Sequence, residues 1–386
     1  MLAEKDNMNA SGHRILCFAT HGHEHLDAVR LGYLLAPLRP DVFPFDHSKK
    51  LRSAVALAKA LRSQRPSLVV MEGTGLAGGI TVLAFNRLLG IPFVVCSGDA
   101  VGPYLRLRSR LLGAAGTLYE RSLCRRCAGY IGWTPYLVGR ALTYGARRAM
   151  SAPGWARTGA GTEERGSARQ QLGIGDDALV VGLVGSLDWT SSVGYAYGAE
   201  LISAVRRVQR DDIVVCIVGD GSGRARLIEM AGEDLGNRVL LPGRVPAEQV
   251  PDYLRAFDLA SLSQSVDGVG AFRYTTKLSE YLAAELPIIT TQVPLAYDLD
   301  EGYFWRLPGD APWSPTYVDA LAELLESISR AEVEERRSTI QRAPVGSFNG
   351  PAQQRRVGEF IADILMLPGS PAPRDPPQRS EVVRSS

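Results

Sequence analysis

Lys277 and Glu280 stand three apart in the run Thr275-Thr276-Lys277-Leu278-Ser279-Glu280-Tyr281-Leu282. At helical spacing both side chains leave the first turn on one side. The N–H groups and positive dipole end of such a turn suit an anion, and Lys277 adds a full charge. Glu280 offers a carboxylate just beyond the anion, to which a diol can donate two hydrogen bonds. Phosphate plus sugar diol describes a nucleotide. A surface helix carrying Lys and Glu for solubility has the same pattern, so the surrounding chain has to decide.

The first half holds a second group of reactive types. His21-Gly22-His23-Glu24-His25 follows a short apolar run. Alternating imidazoles with a carboxylate are competent zinc ligands. They come from one short segment with no second cluster near in sequence, so the expectation is a polar substrate loop without bound metal, with His21 or His23 donating hydrogen bonds. Glu72 in Glu72-Gly73-Thr74-Gly75 reads as an acid open to substrate or as a turn residue. Asp99 in Ser97-Gly98-Asp99-Ala100 reads as a site acid or, equally, as a helix N-cap. Cys124 and Cys127 have redox spacing but lie in a basic helical stretch without the strand-turn context. They are expected to be incidental.

Elements that position these residues alternate along the chain. Apolar strand-like runs cover 14–19, 67–71, 91–96 and 129–132, with helical patterns between them. After 151–176, which lacks periodicity and reads as a linker, runs recur at 179–184, 213–218, 239–241, 259–262 and 288–291. Thr275 or Thr276 caps the helix of the opening motif, Leu278, Tyr281 and Leu282 share its buried face, and Pro287 stops it. Strand and helix in alternation argue βαβ units and parallel sheets, whose functional loops follow the carboxyl ends of strands. The His21 loop, Glu72, Asp99 and Gly185-Ser186 all occupy such ends. The expected domains are 1–155 and 156–350, with a helix at 351–366 packing back on the first and a disordered tail at 367–386, rich in Pro, Ser and Arg.

At 386 residues and 45% apolar content, the chain suits two cores. A net charge of +2 excludes a strongly basic nucleic-acid binder on bulk charge, and no nucleic-acid partner is expected. Five scattered cysteines suit a reducing compartment, and neither a signal-peptide pattern nor an 18-residue apolar run is present. The expectation is a cytoplasmic protein. Residues 106–126, opening on Arg106 and closing on Arg125-Arg126, interleave Arg with Leu. Such a segment suits either anionic lipid headgroups on the inner membrane face or plain solvation.

Five motifs occur in one order: Gly185-Ser186-Leu187, Val218-Gly219-Asp220-Gly221, Leu241-Pro242-Gly243-Arg244-Val245, Phe257-Asp258-Leu259, and Lys277 to Ala283 followed by Pro287-Ile288-Ile289. In order and spacing they resemble the donor domain of retaining glycosyltransferases of family 4. That family has the α/β GT-B fold, two facing Rossmann-like domains with parallel sheets; the first half fits the acceptor domain more loosely over its whole length. The resemblance implies transfer of a sugar from a nucleotide-diphosphate sugar to a glycan, lipid-linked or small-molecule acceptor, with no cofactor, as in polysaccharide biosynthesis. It implies that Glu280 holds the ribose hydroxyls and that Lys277 lies beside the diphosphate, approached also by Gly185 and Ser186. Gly219, Asp220 and Arg244 fall near base and phosphates, and His23, Glu72 and Asp99 on the acceptor side, with His21 and Asp99 near the reacting sugar as catalytic candidates beside Lys277 and Glu280.

Two positions depart from the family. Its first glutamate, seven residues before the second, is Phe272 here, with Asp267 the nearest acid in the loop. The basic residue after the Gly185 loop is replaced by Asp188-Trp189-Thr190, and Arg273 is the expected substitute on phosphate. Phe272 keeps open a catalytically silent GT-B protein acting in a complex. Gly219-x-Gly221-x-Gly223 keeps open, more weakly, a dinucleotide-dependent enzyme, since its spacing is not that of the dinucleotide fingerprint.

Overall fold

The computed structural model describes residues 12–155, 165–342 and 348–366. Described residues up to Pro153, together with those from Gly350 onward, form one compact unit; Gly154 to Asn349 holds the other. Each is built on a six-stranded parallel sheet.

The first sheet contains β1 (Ile15–Ala19), β2 (Asp41–Val42), β3 (Leu68–Glu72), β4 (Phe93–Ser97), β5 (Gly129–Gly132) and β6 (Ala149–Ser151), in the order β2-β1-β3-β4-β5-β6. Every residue of β1, β3, β4 and β5 is buried. Continuous apolar runs are what a parallel sheet covered on both faces demands. The helix Gly350–Leu365 belongs to this unit, with Val357, Ile361 and Ile364 buried and the Gln354 amide donating to the Tyr33 carbonyl at 2.6 Å.

The second sheet contains β7 (Leu179–Val184), β8 (Ile213–Val218), β9 (Val239–Gly243), β10 (Leu259–Leu262), β11 (Ile288–Thr291) and β12 (Phe304–Leu307), in the order β12-β11-β10-β7-β8-β9. Counted from its own first strand, this is the Rossmann order 3-2-1-4-5-6 read from the far edge. The first sheet instead has the 2-1-3-4-5 order of flavodoxin-like sheets, with one strand added. Strand order therefore reverses between β1 and β3 in one unit and between β7 and β10 in the other. Open α/β sheets bind ligands at such reversals.

Two expectations need correction. Part of the expected linker, Arg165–Gln171, is a helix. Arg165 and Arg169 both grip the Asp258 carboxylate, whose Oδ2 also accepts from the Val180 amide at 2.7 Å, so this helix is fastened to the sheet. The basic segment is not one helix: Val101–Arg106 and Arg110–Arg126 are separated at residues 107–109, and Ser109 caps the second by accepting from the Leu111 amide at 3.2 Å. A further helix, Arg330–Arg342, has no counterpart in the sequence reading because its residues are mostly polar or charged and show no clear apolar stripe; Val333 and Ile340 are its buried contacts. The expected tail at 367–386 and the N-terminal segment 1–11 lie outside the described residues. Among described residues, no helix is long and apolar enough to cross a membrane.

Candidate functional site

At the β7/β10 reversal, Thr275 opens the helix Thr276–Ala283, its hydroxyl accepting from the Lys277 amide at 3.4 Å. Leu278, Tyr281 and Leu282 bury one face. The Tyr281 hydroxyl then accepts from the Val184 amide at 3.1 Å, fixing the helix to the end of β7. Lys277 is half-buried and lies against Gly185: a Cβ built there would stand 2.6 Å from Lys277 Cε and 2.9 Å from Nζ. Nζ lies 5.3 Å from the centroid of the Tyr197 ring, a cation–π distance. Burial lowers the Lys277 pKa; the Glu280 charge raises it and the Arg273 charge lowers it further.

Backbone bonds join the neighbouring loops. Gly185 donates to the Val218 carbonyl at 2.9 Å, Leu187 to that of Asp220 at 3.0 Å, and Gly219 to that of Gly243 at 2.9 Å. Gly219 has φ +150°, and a Cβ on it would meet the Gly185 carbonyl oxygen at 1.8 Å, so only glycine fits. Gly185, Ser186, Gly219, Asp220 and Arg244 are thereby gathered at the ends of β7, β8 and β9. Gly221 and Gly223 abut the backbone of residues 187–189, so the alternating glycines serve loop packing.

Asp188, in place of a basic residue, accepts from the Ser186 hydroxyl at 2.6 Å and the Ser222 amide at 3.2 Å. These bonds, with the Arg244 charge behind them, hold its carboxyl below the usual range. Arg273 is exposed, and its charge is felt at Lys277 and at Tyr197. Asp267, the nearest acid to the position of the absent glutamate, is held by its own loop. Its Oδ1 accepts from the Val269 and Gly270 amides, both at 2.7 Å, and its Oδ2 from the Ser265 hydroxyl at 2.9 Å, so it shapes the loop.

Sequence reasoning missed Tyr197 and the residue that places it. Glu200 is buried and accepts from the Tyr195 hydroxyl at 2.8 Å, the Gly198 amide at 3.0 Å and the Ser263 hydroxyl. It pins the 195–198 loop to the end of β10. The available signal was the Tyr195-Ala196-Tyr197 run bracketed by Gly194 and Gly198.

At the β1/β3 reversal, Thr20 donates its amide to the Glu72 carbonyl at 2.8 Å and accepts from the Gly75 amide at 3.2 Å through its hydroxyl. His21 is exposed; its Nδ1 stands 2.6 Å from Asp27 Oδ2. That bond raises the imidazole pKa against partial burial, with the Asp27, Asp99 and Glu72 charges adding. His21 and Asp99 are thus near enough to act on one another. Asp99 is not the N-cap of Val101–Arg106, since that position is Ala100. His23 is exposed, with its amide donating to the Phe45 carbonyl at 3.0 Å.

Glu72 has to be reassigned. It is 1% exposed, accepting from Arg30 at 2.7 Å and from the Trp133 indole at 3.0 Å. Burial pushes its pKa up while the Arg30 charge opposes. Both oxygens are occupied, so it is an internal strut and offers no surface to an acceptor. Cys124 and Cys127 are buried free thiols, each pushed up to about 12 by burial, consistent with an inert pair.

Residues 164–345 match the family model for glycosyl transferases group 1, and residues 5–151 match that for the glycosyl transferase 4-like domain. The chain belongs to the GT-B glycosyltransferases. Among solved structures, this glycosyltransferase is similar in fold to sucrose-phosphate synthase from Thermosynechococcus elongatus, at TM-score 0.67 and 14% identity, over 91% of this chain and 99% of that one. HepE from Anabaena, solved with UDP and glucose, matches at TM-score 0.64 and 15% identity, over 91% and 100%. The lipopolysaccharide outer core galactosyltransferase WaaB matches at TM-score 0.60 and 14% identity, over 91% and 99%. No curated protein matches the sequence significantly.

Proposed function

We propose that the second unit binds a nucleotide-diphosphate sugar at the β7/β10 reversal, and that the sugar passes, with retained configuration, to a glycan, lipid-linked or small-molecule acceptor held by the first. The observation that carries this reading is the Lys277 ammonium laid against Gly185, where only a glycine leaves it room. Glu280, one turn on, takes the ribose hydroxyls; Lys277, Arg273 and the helix end stabilise the charge of the leaving diphosphate. No metal is needed at that step. The Anabaena protein solved with UDP and glucose supports the ligand class, and the resemblance to family 4 supports retention. His21, His23 and Asp99 form the acceptor-facing group.

A thermal-shift screen with UDP, GDP, ADP and their common sugars tests the reading, since a ligand that binds the native state stabilises it. Lys277→Ala and Glu280→Ala should each lower donor affinity and turnover about 10- to 100-fold, the worth of a charge-assisted contact. Unchanged turnover in Glu280→Ala removes the assignment. Phe272, standing where the family has a carboxylate, favours a second reading: a protein that binds donor without transferring it. Donor binding with neither transfer nor hydrolysis across broad acceptor panels would establish it.

The lipid-linked acceptor class is supported by the broken basic segment. Leu107 is 71% exposed, Leu111 82% and Leu118 67%, interleaved with exposed Arg106, Arg108 and Arg110. Apolar side chains beside cations suit an anionic lipid surface. The chain should sediment with phosphatidylglycerol vesicles but not with neutral ones, and Leu107→Asp with Leu111→Asp should abolish this. Equal sedimentation of the double variant would leave the patch an ordinary solvated face.

A further inference from the structure

Four of the five histidines of the chain, His21, His23, His25 and His47, gather at the carboxyl end of β1. We propose that His21, His25 and Asp27 form a binding site for a divalent transition-metal ion of the zinc class. One ligand atom from each lies within 4.8 Å of the other two. His21 Nδ1 is 2.6 Å from Asp27 Oδ2, and His25 Nδ1 is 3.3 Å from Asp27 Oδ1. The two rings lie 5.3 Å apart, tilted by 50°. Two imidazoles and one carboxylate match a three-ligand zinc set with a fourth position open. Bond lengths of about 2.0–2.2 Å put tetrahedral ligand atoms roughly 3.3 Å apart. The His25–Asp27 spacing meets that value, and the His21–Asp27 spacing, to the other carboxylate oxygen, is shorter. Closing the set needs only side-chain rotation of imidazoles that are 46% and 51% exposed.

Local structure alone does not account for this choice of residues. His25 is the N-cap of the helix Leu26–Leu35, its Nδ1 accepting from the Asp27 amide at 3.2 Å. Capping is served better by Ser, Thr, Asp or Asn. A second imidazole on the same carboxylate adds nothing to the cap. An ion would take over the Nδ1 lone pair now shared with that amide, while Asp27 stays anchored in the first helical turn. His47, its ring 6.0 Å from that of His21, has its Nδ1 at 3.1 Å from the Thr20 carbonyl oxygen. Imidazoles around a metal commonly commit one nitrogen to the backbone in this way. His47 is the nearby candidate for the fourth position. All of these residues belong to the first unit, so the proposal is separate from the phosphate assignment made on the second.

The experiment uses the full chain without a histidine tag, stripped with a chelator and titrated with Zn²⁺ against a chromophoric competitor. One equivalent should bind, with the affinity falling at least 100-fold in His21→Ala/His25→Ala and about tenfold or more in Asp27→Asn. His23→Ala, outside the ligand set, should bind as the parent does. Because Asp27→Asn also touches the helix cap, circular dichroism checks its fold. Co²⁺ substitution should separately give the visible spectrum of a tetrahedral nitrogen–oxygen site in the parent and not in the double variant. No uptake by the parent, or equal uptake by the double variant, overturns the proposal. Donor binding, measured in parallel on the same proteins, tests the nucleotide-sugar assignment separately.

Discussion

Both sheets of this chain contain a strand-order reversal, and the two reversals differ in their chemistry. At β1/β3 the charges are closed on themselves: Arg30 spans Glu72 and the Ala152 carbonyl, stacks 4.4 Å from the Trp133 ring, and leaves Glu72 with both oxygens engaged. At β7/β10 a half-buried Lys277 stands beside an exposed Arg273, and glycines keep backbone close to the amine. A sheet reversal supplies a place for a ligand; the side chains presented at the strand ends decide which. The first reversal has spent its strongest pair on holding the unit together and presents imidazoles and Asp99 outward. The second presents Lys277 against glycine backbone and an exposed Arg273, cations of the kind a phosphate site uses.

The largest effect expected from this contrast is on stability. Arg30→Met strips Glu72 of its partner while keeping the side-chain bulk, and breaking a buried pair from one side costs about 3–5 kcal/mol. Denaturant unfolding of the first unit should show it, while donor binding by the folded variant stays as in the parent. The deficit should shrink in acid. With Arg30 gone, burial holds the folded pKa of Glu72 above its unfolded value, so the stability it contributes is present below that unfolded value and lost as pH rises. A loss below about 1 kcal/mol at neutral pH would mean that Glu72 is better solvated than its burial implies, and it would reopen an acceptor-side role.

What could be read before the structure follows the same division. Buried strands announce themselves because both faces are covered, so β1, β3, β4, β7 and β8 are near-continuous apolar runs. Lys277, Glu280 and Gly185 were legible because a helix mouth and a glycine turn fix their spacing locally. Partnerships across the fold were not. Arg30 lies 42 residues from Glu72 and Arg169 lies 89 from Asp258, and nothing in the local pattern of either acid shows that it is already satisfied. Glu72 was therefore misread as available, and Arg165–Gln171 as linker. Asp27 was hidden differently: it stands in a helical stretch, and only the turn back to His21 and His25 gives it chemistry.

A smaller effect isolates the second reversal from its fold. Gly185→Ala would set a methyl 2.6 Å from Lys277 Cε. The obstructing atoms are the far end of a flexible side chain, so the amine moves and the unit stays folded. Donor affinity should fall about tenfold, the worth of roughly 1.4 kcal/mol, with the melting temperature of the free protein hardly changed. Equal loss of affinity and stability would instead indicate that the Gly185 turn itself had collapsed. Unchanged affinity would place the diphosphate away from Lys277 and break the contrast between the two reversals.

The smallest effect is on pH dependence, and its sign is diagnostic. Burial, reinforced by Arg273, holds the Lys277 pKa below its usual value of about 10.4. If the ammonium grips the donor, affinity is flat near neutrality and falls as pH rises through that lowered value, earlier than an ordinary lysine would allow. Stability of the free protein runs the other way. A cation whose folded pKa is depressed is more readily protonated in the unfolded chain, so it costs stability below its folded pKa and that cost is relieved as pH rises. Measured against Lys277→Gln, which lacks both dependences, the parent should gain relative stability over the alkaline range in which its donor affinity declines. Parallel changes, or an alkaline limb that persists in Lys277→Gln, would assign the titration to another group and take Lys277 out of the donor site.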